Sequence, residues 1–222
     1  MWNKCVSILL MAMYATATVV SASSPDVKVT IADFTDDGKD DRRTMETIND
    51  PVMGGSSHSS QEQKKDFLYW HGEVKNVWFL KSPGFCIVQT AGEQSFPQNL
   101  GDFAGISYVV NISHDMLLPL TAQLNNGAWS SEGYPITYHA ILQNVSSYDG
   151  KVELFAPWSS FTGMFHGKEV TAPALNTVGL SKVDRLGLST FYSHKAGEFS
   201  VELFEIFAKD TTQSPRGLRA KA

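Results

Sequence analysis

The feature of this sequence that most constrains its fold is a succession of short β-rich segments with no helix-period stretch between them. Each segment is rich in β-branched and aromatic residues, and clusters of Gly, Pro, Asn, Asp and Ser separate it from the next. The nine segments are residues 27–34, 67–75, 85–90, 105–113, 119–124, 136–145, 152–158, 185–192 and 199–208. Such closely spaced strands predict an all-β sandwich or barrel, with helix confined to short turns such as one after Trp158.

The two ends of the chain predict a division into three parts. Residues 1–22 have the pattern of a secretory signal peptide, with a lysine, an apolar run and small side chains before a cleavage point after Ala22. Residues 27–208 are expected to form a single β-sandwich domain, and the polar, aperiodic residues 209–222 a disordered tail. No hydrophobic segment remains after cleavage to span a membrane. The sequence therefore predicts a secreted or luminal protein, with the mitochondrion as the alternative location.

Charge and two glycosylation sequons fit a secreted protein. The chain carries 18 Lys and Arg against 23 Asp and Glu, a net charge of −5, and so lacks the basic face that nucleic-acid binding needs. Sequons begin at Asn111 and Asn144 and predict N-glycosylation. Cys86 is the single cysteine after signal removal, so we expect no disulfide framework and a buried, inert thiol.

The stretch NDPVMGGSSHSS, residues 49–60, places two adjacent glycines and four serines beside a histidine. These glycines are neither followed by the lysine of a P-loop nor spaced as in a dinucleotide fingerprint, so the stretch does not predict a phosphate site. No GxSxG nucleophile elbow occurs in the chain. We interpret the serines as turn residues whose hydroxyls bond nearby backbone. The sequence predicts no catalytic residue and no enzyme.

Metal-ligand patterns are equally weak. The six histidines form no HExxH motif and no close pair, so no zinc site is predicted. The segment DFTDDG, residues 33–38, matches the start of an EF-hand loop, but Thr44 occupies the position of the required bidentate glutamate. We interpret it as an acidic turn, and we predict no cofactor. Calcium bound in a β-sandwich loop stays open as a hypothesis that calorimetry tests, with candidate ligands Asp33, Asp36, Asp37, Asp40 and Asp41.

Aromatic residues in a loop suggest an alternative function. Flat rings stack on the apolar faces of pyranose sugars while polar neighbours bond the hydroxyls. Trp129 and Tyr134 lie in the loop-like segment NNGAWSSEGY and predict a carbohydrate-binding surface. Trp70 and Trp158, in contrast, fall in strand-like runs and are expected in the core.

Several segments, in the correct order, resemble the complex I intermediate-associated protein 30 family. NDPVMGGSS is similar to the family signature, in which an acidic residue precedes a Val-Met-Gly-Gly-x-Ser run. Five further segments are similar to later parts of the family sequence: FLYWHGEV, SPGFCIVQT, LGDFAGISYVVN, VELFAPWSSFTGMFHGKEV and GEFSVELFEIFA. The resemblance covers residues 30–208, and several ordered motifs are far more specific than one Gly-Gly pair.

This resemblance implies a galactose-binding-like jelly-roll β-sandwich and a non-enzymatic, chaperone-like assembly factor that binds other proteins. Its implied partners are assembly intermediates of respiratory complex I if the chain is mitochondrial; the N-terminus and sequons instead suggest a role adapted to the secretory pathway. The candidate binding residues that the motifs carry over are Asp50, Val52, Met53, Gly54, Gly55, Ser56, Gly84 and Phe85. We expect the paired glycines to allow a positive φ and close backbone approach. Asp50 and Ser56 are expected to bond turn amides, and Met53 to fill a gap in the core.

Overall fold

The computed structural model describes residues 27–38, 41–112 and 119–210. The predicted signal peptide and residues 211–222 of the predicted tail lie outside the described residues. The tail prediction began too early, because Lys209 ends the last strand, Gly197–Lys209, and pairs with Glu153 at 2.6 Å. Two seven-stranded antiparallel sheets, sheet A and sheet B, enclose one apolar core. The predicted all-β sandwich is thus confirmed. Among the described residues, no helix has the length and apolar composition that crossing a membrane requires.

Sheet A is built around its long last strand. Its strands are β1 (Lys28–Asp33), β3 (His58–Gln63), β4 (Leu68–Val74), β8 (Gly105–Ile112), β11 (Gln143–Tyr148), β12 (Lys151–Pro157) and β16 (Gly197–Lys209). They follow the order β11–β12–β8–β16–β4–β3, and β1 also pairs with β16. One edge of β16 pairs with β8, while its other edge pairs with β4 and then with β1.

Sheet B forms the opposite layer. Its strands are β2 (Met45–Asn49), β7 (Cys86–Thr90), β9 (Thr121–Asn125), β10 (Thr137–Ile141), β13 (Thr162–Phe165), β14 (Lys168–Glu169) and β15 (Arg185–Ser189). They follow the order β14–β13–β10–β9–β15–β7–β2. The short strands β5 (Asn76–Val77) and β6 (Ser82–Pro83) form a separate hairpin, and the single α-helix among the described residues is α1 (Thr177–Leu180).

Large aromatic side chains fill the space between the sheets. Trp70 and Trp158 are 0% and 7% exposed, as their strand-like contexts predict. Tyr108 of sheet A is fully buried and donates a hydrogen bond from Oη to the carbonyl oxygen of Gly187 in sheet B, at 3.0 Å. Burial also raises the pKa of the Tyr108 phenol. This bond satisfies the hydroxyl inside the core and ties the two sheets together.

Strand β3 was not predicted, because its sequence HSSQEQ contains no apolar residue. It lies at the edge of sheet A and pairs with β4. Alternate side chains reach other parts of the sandwich: Ser59 Oγ bonds Asn49 Oδ1 at 2.6 Å and Gln61 Nε2 bonds the Met45 carbonyl at 3.0 Å. Hydrogen bonds thus take the place of the apolar burial that usually marks an inward strand face.

Candidate functional site

The Gly-Gly stretch forms a tight turn between sheet B and sheet A. After β2 the chain makes one 3-10 turn, Asp50–Met53, with Pro51 at its start where a missing N–H costs nothing. Gly54 ends the turn with φ +85°, a left-handed conformation that favours glycine. The Asp50 N–H donates to the carbonyl of Phe85 at 3.1 Å, so the turn is fixed to the start of β7. The side chains of Val52 and Met53 lie outside the described part of the structure.

The Asp50 carboxylate is the centre of this turn. It is 1% exposed and accepts two hydrogen bonds from Ser57, one from the N–H at 2.6 Å and one from Oγ at 2.9 Å. Gly55 and Gly84 pack directly against it, and a Cβ on either glycine would overlap the carboxylate. Three motif residues from two separate segments, Asp50, Gly55 and Gly84, therefore meet at one point.

Hydrogen bonds also join Ser57 to the neighbouring hairpin of β5 and β6. Its Oγ accepts the backbone N–H of Lys75 at 2.9 Å, and the carbonyl of Lys75 accepts the N–H of Gly84 at 2.8 Å. Lys75 and Gly84 flank the hairpin of β5 and β6. The sequence prediction that Asp50 bonds a turn amide is correct, but the serine that completes the contact is Ser57 and not Ser56. We name the contacts among Asp50, Ser57, Lys75 and Gly84 the carboxylate brace.

The hairpin carries the most exposed aromatic side chain in the described structure. Trp78, Phe79 and Leu80 are 83%, 47% and 62% exposed, and we name them the apolar tip. The Phe79 ring lies over Gly54, where a Cβ would sit 3.6 Å from the ring, and its centroid is 5.6 Å from that of Trp78. The sequence analysis missed these residues. Their signal is a Trp-Phe-Leu run in the short interval between two predicted strands.

Backbone hydrogen bonds at its base fix the conformation of the apolar tip. Val77 is 5% exposed, and its carbonyl accepts the N–H groups of Leu80 at 3.1 Å and Lys81 at 2.9 Å. Lys81 adopts a positive φ of 51°, which closes the turn. The apolar side chains are therefore exposed on a short hydrogen-bonded hairpin that is fixed at its base by the carboxylate brace.

The predicted carbohydrate-binding aromatics lie in a second exposed region. Trp129 and Tyr134 are 60% and 44% exposed. Tyr134 stacks on Phe165 at 4.5 Å with an interplanar angle of 9°, and Phe165 stacks on His166 at 4.0 Å. This stack joins the β9–β10 loop to the end of β13. The structure does not bring Trp129 and Tyr134 to the carboxylate brace.

Polar groups on the outer face of sheet A line a shallow cavity of about 410 Å³. Ser60 Oγ lies 3.1 Å from Nε2 of His71, on exposed neighbouring strands. The cavity residues are His58, Tyr69, His71, Gly72, Glu73, Glu198, Phe199 and Ser200. Neither here nor elsewhere in the described ranges are three His, Cys, Asp or Glu residues grouped to hold a metal ion.

The remaining predicted sites are the two sequons, the acidic segment and Cys86. Asn111 and Asn144 are exposed, in β8 and β11 of sheet A, and Asn111 Nδ2 donates to Glu202 at 3.0 Å. In the acidic segment, Asp33 Oδ1 accepts the N–H of Thr35 at 2.9 Å and so closes a local turn, while the candidate ligand Asp40 lies outside the described residues. Cys86 is buried, as predicted, and burial raises the pKa of its thiol to about 12.

Comparisons with known proteins agree with this architecture. The structure is similar to a family 11 carbohydrate-binding module of the cellulosomal cellulase Lic26A-Cel5E of Clostridium thermocellum, with a TM-score of 0.50, 12% identity and coverage of 84% of this chain and 96% of that one. A family 11 module from the same organism in complex with a β-1,3-1,4-mixed-linked tetrasaccharide has a TM-score of 0.49, 14% identity and coverage of 85% and 98%. At 12% identity the likeness to the first module shows the fold alone, a galactose-binding-like jelly roll.

Sequence comparison identifies the family. No curated protein sequence matches the chain. The family model described as complex I intermediate-associated protein 30 matches residues 32–203, which include the carboxylate brace and the apolar tip. The chain therefore belongs to the complex I intermediate-associated protein 30 family.

Proposed function

We propose that this chain is a non-enzymatic, protein-binding assembly factor that captures its partner with the apolar tip. The observation that carries the proposal is the exposure of three consecutive apolar side chains, Trp78, Phe79 and Leu80, on a hydrogen-bonded hairpin. Contiguous exposed apolar surface of this kind marks interaction sites. A rigid hairpin also loses little conformational entropy when it docks.

The tip has enough apolar surface to dominate a binding interface. Trp78 is 83% exposed, and burying such a side chain contributes about 3 kcal/mol. Tryptophan is also among the residues most enriched at interface hot spots. Removing Trp78 is therefore expected to weaken partner binding by about a hundredfold.

The chemistry of the family motif supports a role without catalysis. The Asp50 carboxylate is buried and hydrogen bonded to Ser57, and so serves the turn rather than a substrate. With its pKa raised to about 12, the Cys86 thiol stays protonated at neutral pH and is a poor nucleophile. The contacts of Asp50 with Ser57, and of Ser57 with Lys75, fix the hairpin that carries the binding surface.

The proposed compartment is the secretory pathway, and the partner is a luminal or secreted protein. The signal-like residues 1–22 and the exposed sequon asparagines Asn111 and Asn144 support this. The family name points instead to assembly intermediates of complex I, which are the partners expected if the chain enters mitochondria. The identity of a captured partner thus distinguishes the two locations.

Site-specific photo-crosslinking in the native cells tests the proposal. Benzoylphenylalanine replaces Trp78 in one version of the full chain and Trp129, a matched exposed tryptophan, in another. We expect a defined crosslinked partner from position 78 and not from position 129, and loss of its co-purification in the Trp78→Ser/Leu80→Ser variant. An unchanged partner in that variant, or equal crosslinking from both positions, would overturn the proposal.

Carbohydrate binding is the second candidate function. It is favoured by the exposed Trp129 and by Tyr134, whose ring stacks on Phe165 and offers a flat platform. A glycan array with wild type and Trp129→Ala/Tyr134→Ala tests it. Signal from wild type that disappears in the variant supports this candidate, and an array without signal counts against it.

A further inference from the structure

A row of polar side chains crosses the outer face of sheet B. Register places His139 opposite Gln123, Gln123 opposite Gly187, Gly187 opposite Gln89, and Gln89 opposite Glu46. We name these five residues the polar row. Their strand neighbours, such as Leu124 and Leu188, belong to the core, so the polar row faces away from it.

Four polar atoms on this face are buried and have no hydrogen-bond partner among the described residues. They are Thr121 Oγ1, Gln123 Nε2, Asn125 Oδ1 and His139 Nδ1. Thr121 and Gln123 are only 0% and 5% exposed. Burying polar groups without partners is unfavourable, and native proteins keep such groups mainly where they serve a purpose. Since these four lie on adjacent strands β9 and β10, they form one cluster rather than scattered exceptions.

Aromatic side chains lie along one side of this cluster and form a wall. The Phe191 ring lies 6.0 Å from that of His139, edge to face, and 6.0 Å from that of Phe85. Tyr192 Oη bonds Met164 Sδ at 3.6 Å, so the segment after β15 is fixed against β13. The family-motif residue Phe85 therefore contributes to the same wall.

The floor of the row has a small pocket beside Gly187. Its volume is about 10 Å³, enough for about one water-sized group, and its lining includes Gln89, Gln123 and Arg185. A Cβ at Gly187 would come within 2.9 Å of Gln89 Cβ and of a neighbouring carbonyl oxygen. Glycine thus keeps the floor open at the centre of the row.

We propose that the polar row binds a neutral, polyhydroxylated ligand of the oligosaccharide class. This deepens the second candidate function and does not depend on the apolar tip. The carboxylate of Glu46 accepts a hydrogen bond from Gln89 Nε2 at 2.9 Å and Arg185 lines the pocket, while the other side chains present amide, hydroxyl and imidazole groups that donate and accept, as each sugar hydroxyl does. Aromatic edges and faces match the apolar faces of sugar rings. A ligand hydroxyl in the pocket would supply the partner that Gln123 Nε2 lacks.

Gln123→Leu is the decisive variant because its effects on binding and stability are expected to differ. Leucine keeps a similar volume and removes an amide nitrogen that has no protein partner, so the melting temperature should stay the same or rise. Ligand affinity should fall at least tenfold because a ligand hydroxyl loses its partner. Gln143→Leu, the same change on an exposed position of sheet A, is the matched control.

The experiment is a chemical-shift titration of the isotopically labelled protein. The probes are linear neutral hexasaccharides of β-1,4-glucose, α-1,4-glucose, mannose and N-acetylglucosamine, each added to millimolar concentration. We expect at least one probe to shift the side-chain amides of Gln123 and Gln89, with binding weakened in Gln123→Leu and unchanged in Gln143→Leu.

Three outcomes would overturn the inference. Silence of all four probes removes both this site and the second candidate function. Binding that survives Gln123→Leu but is lost in Trp129→Ala/Tyr134→Ala leaves carbohydrate binding in place and rejects the polar row. A Gln123→Leu variant that is strongly destabilised shows that the amide has a structural role instead. None of these results affects the proposal for the apolar tip.

Discussion

Asp50→Ala tests the carboxylate brace most directly. The substitution removes the two carboxylate oxygens that accept from Ser57, whose N–H and Oγ lie 2.6 Å and 2.9 Å from them, and leaves the hydroxyl only the Lys75 carbonyl at 3.5 Å. Ser57 is 0% exposed, so water cannot replace the lost acceptors without opening the turn. The loss therefore includes an unsatisfied buried N–H as well as two hydrogen bonds to the carboxylate.

The expected loss is about 3 kcal/mol of unfolding free energy. A hydrogen bond to a charged group contributes about 1.5–3 kcal/mol, so the two bonds with Ser57 give about 3–6 kcal/mol. Removing a buried carboxylate also relieves part of its own desolvation cost, which favours the lower end of that range. With a urea m-value of about 2 kcal/mol/M, the midpoint should fall by about 1.5 M.

Urea unfolding followed by tryptophan fluorescence measures the effect. Asp66→Ala, at an exposed aspartate, is the control and should change stability by less than about 0.5 kcal/mol. Asp50→Asn should lose less than Asp50→Ala because one acceptor for the Ser57 N–H remains. If Asp50→Ala costs less than about 1 kcal/mol, the carboxylate does not brace the turn.

Three further predictions concern titration, reactivity and glycosylation. Burial lowers the pKa of His139 from 6.5 to about 4, so the unfolded chain binds the proton first and stability falls as pH drops through that window. This group should lower the unfolding free energy by about 3 kcal/mol between pH 7 and pH 4. The measurement is the unfolding free energy of wild type minus that of His139→Gln at each pH, and a difference that does not change with pH contradicts the prediction. Cys86, whose pKa burial raises to about 12, should react with Ellman's reagent only after unfolding, and fast labelling of the folded protein contradicts this. Endoglycosidase should shift the full-length chain downward, and less so in Asn111→Gln and Asn144→Gln; an unshifted chain in mitochondria contradicts the secretory prediction.

Strands with a run of β-branched and aromatic residues could be predicted from the sequence, whereas β2, β3, β13 and the two-residue strands β5, β6 and β14 were missed. All nine predicted segments overlap observed strands, since alternating β-branched and aromatic residues are what a half-buried sheet requires. Strand β3 was not predicted because its inward side chains are polar and form hydrogen bonds with Asn49 and with the Met45 carbonyl. A pattern of apolar residues cannot indicate a strand whose inward face is satisfied by hydrogen bonds from another sheet.

The candidate sites were less accessible to sequence reasoning. Gly84 lies 34 residues from Asp50, and only the fold shows that its missing side chain makes room for that carboxylate. The polar row draws one residue from each of five strands, and in the sequence each looks like an ordinary outward-facing residue. The strand order of sheet B places them side by side, and that order is a property of the whole chain.

The residues of the family motif and the surfaces proposed for binding are different parts of the molecule. Gly55 and Gly84 pack against the Asp50 carboxylate, which accepts from Ser57, so these motif residues serve contacts inside the turn. In both proposals the binding surface is one that the turn positions, the apolar tip through Lys75 and Gly84 and the polar row through Phe85. The signature therefore transfers the fold from one member to another, while the partner has to be determined for each chain.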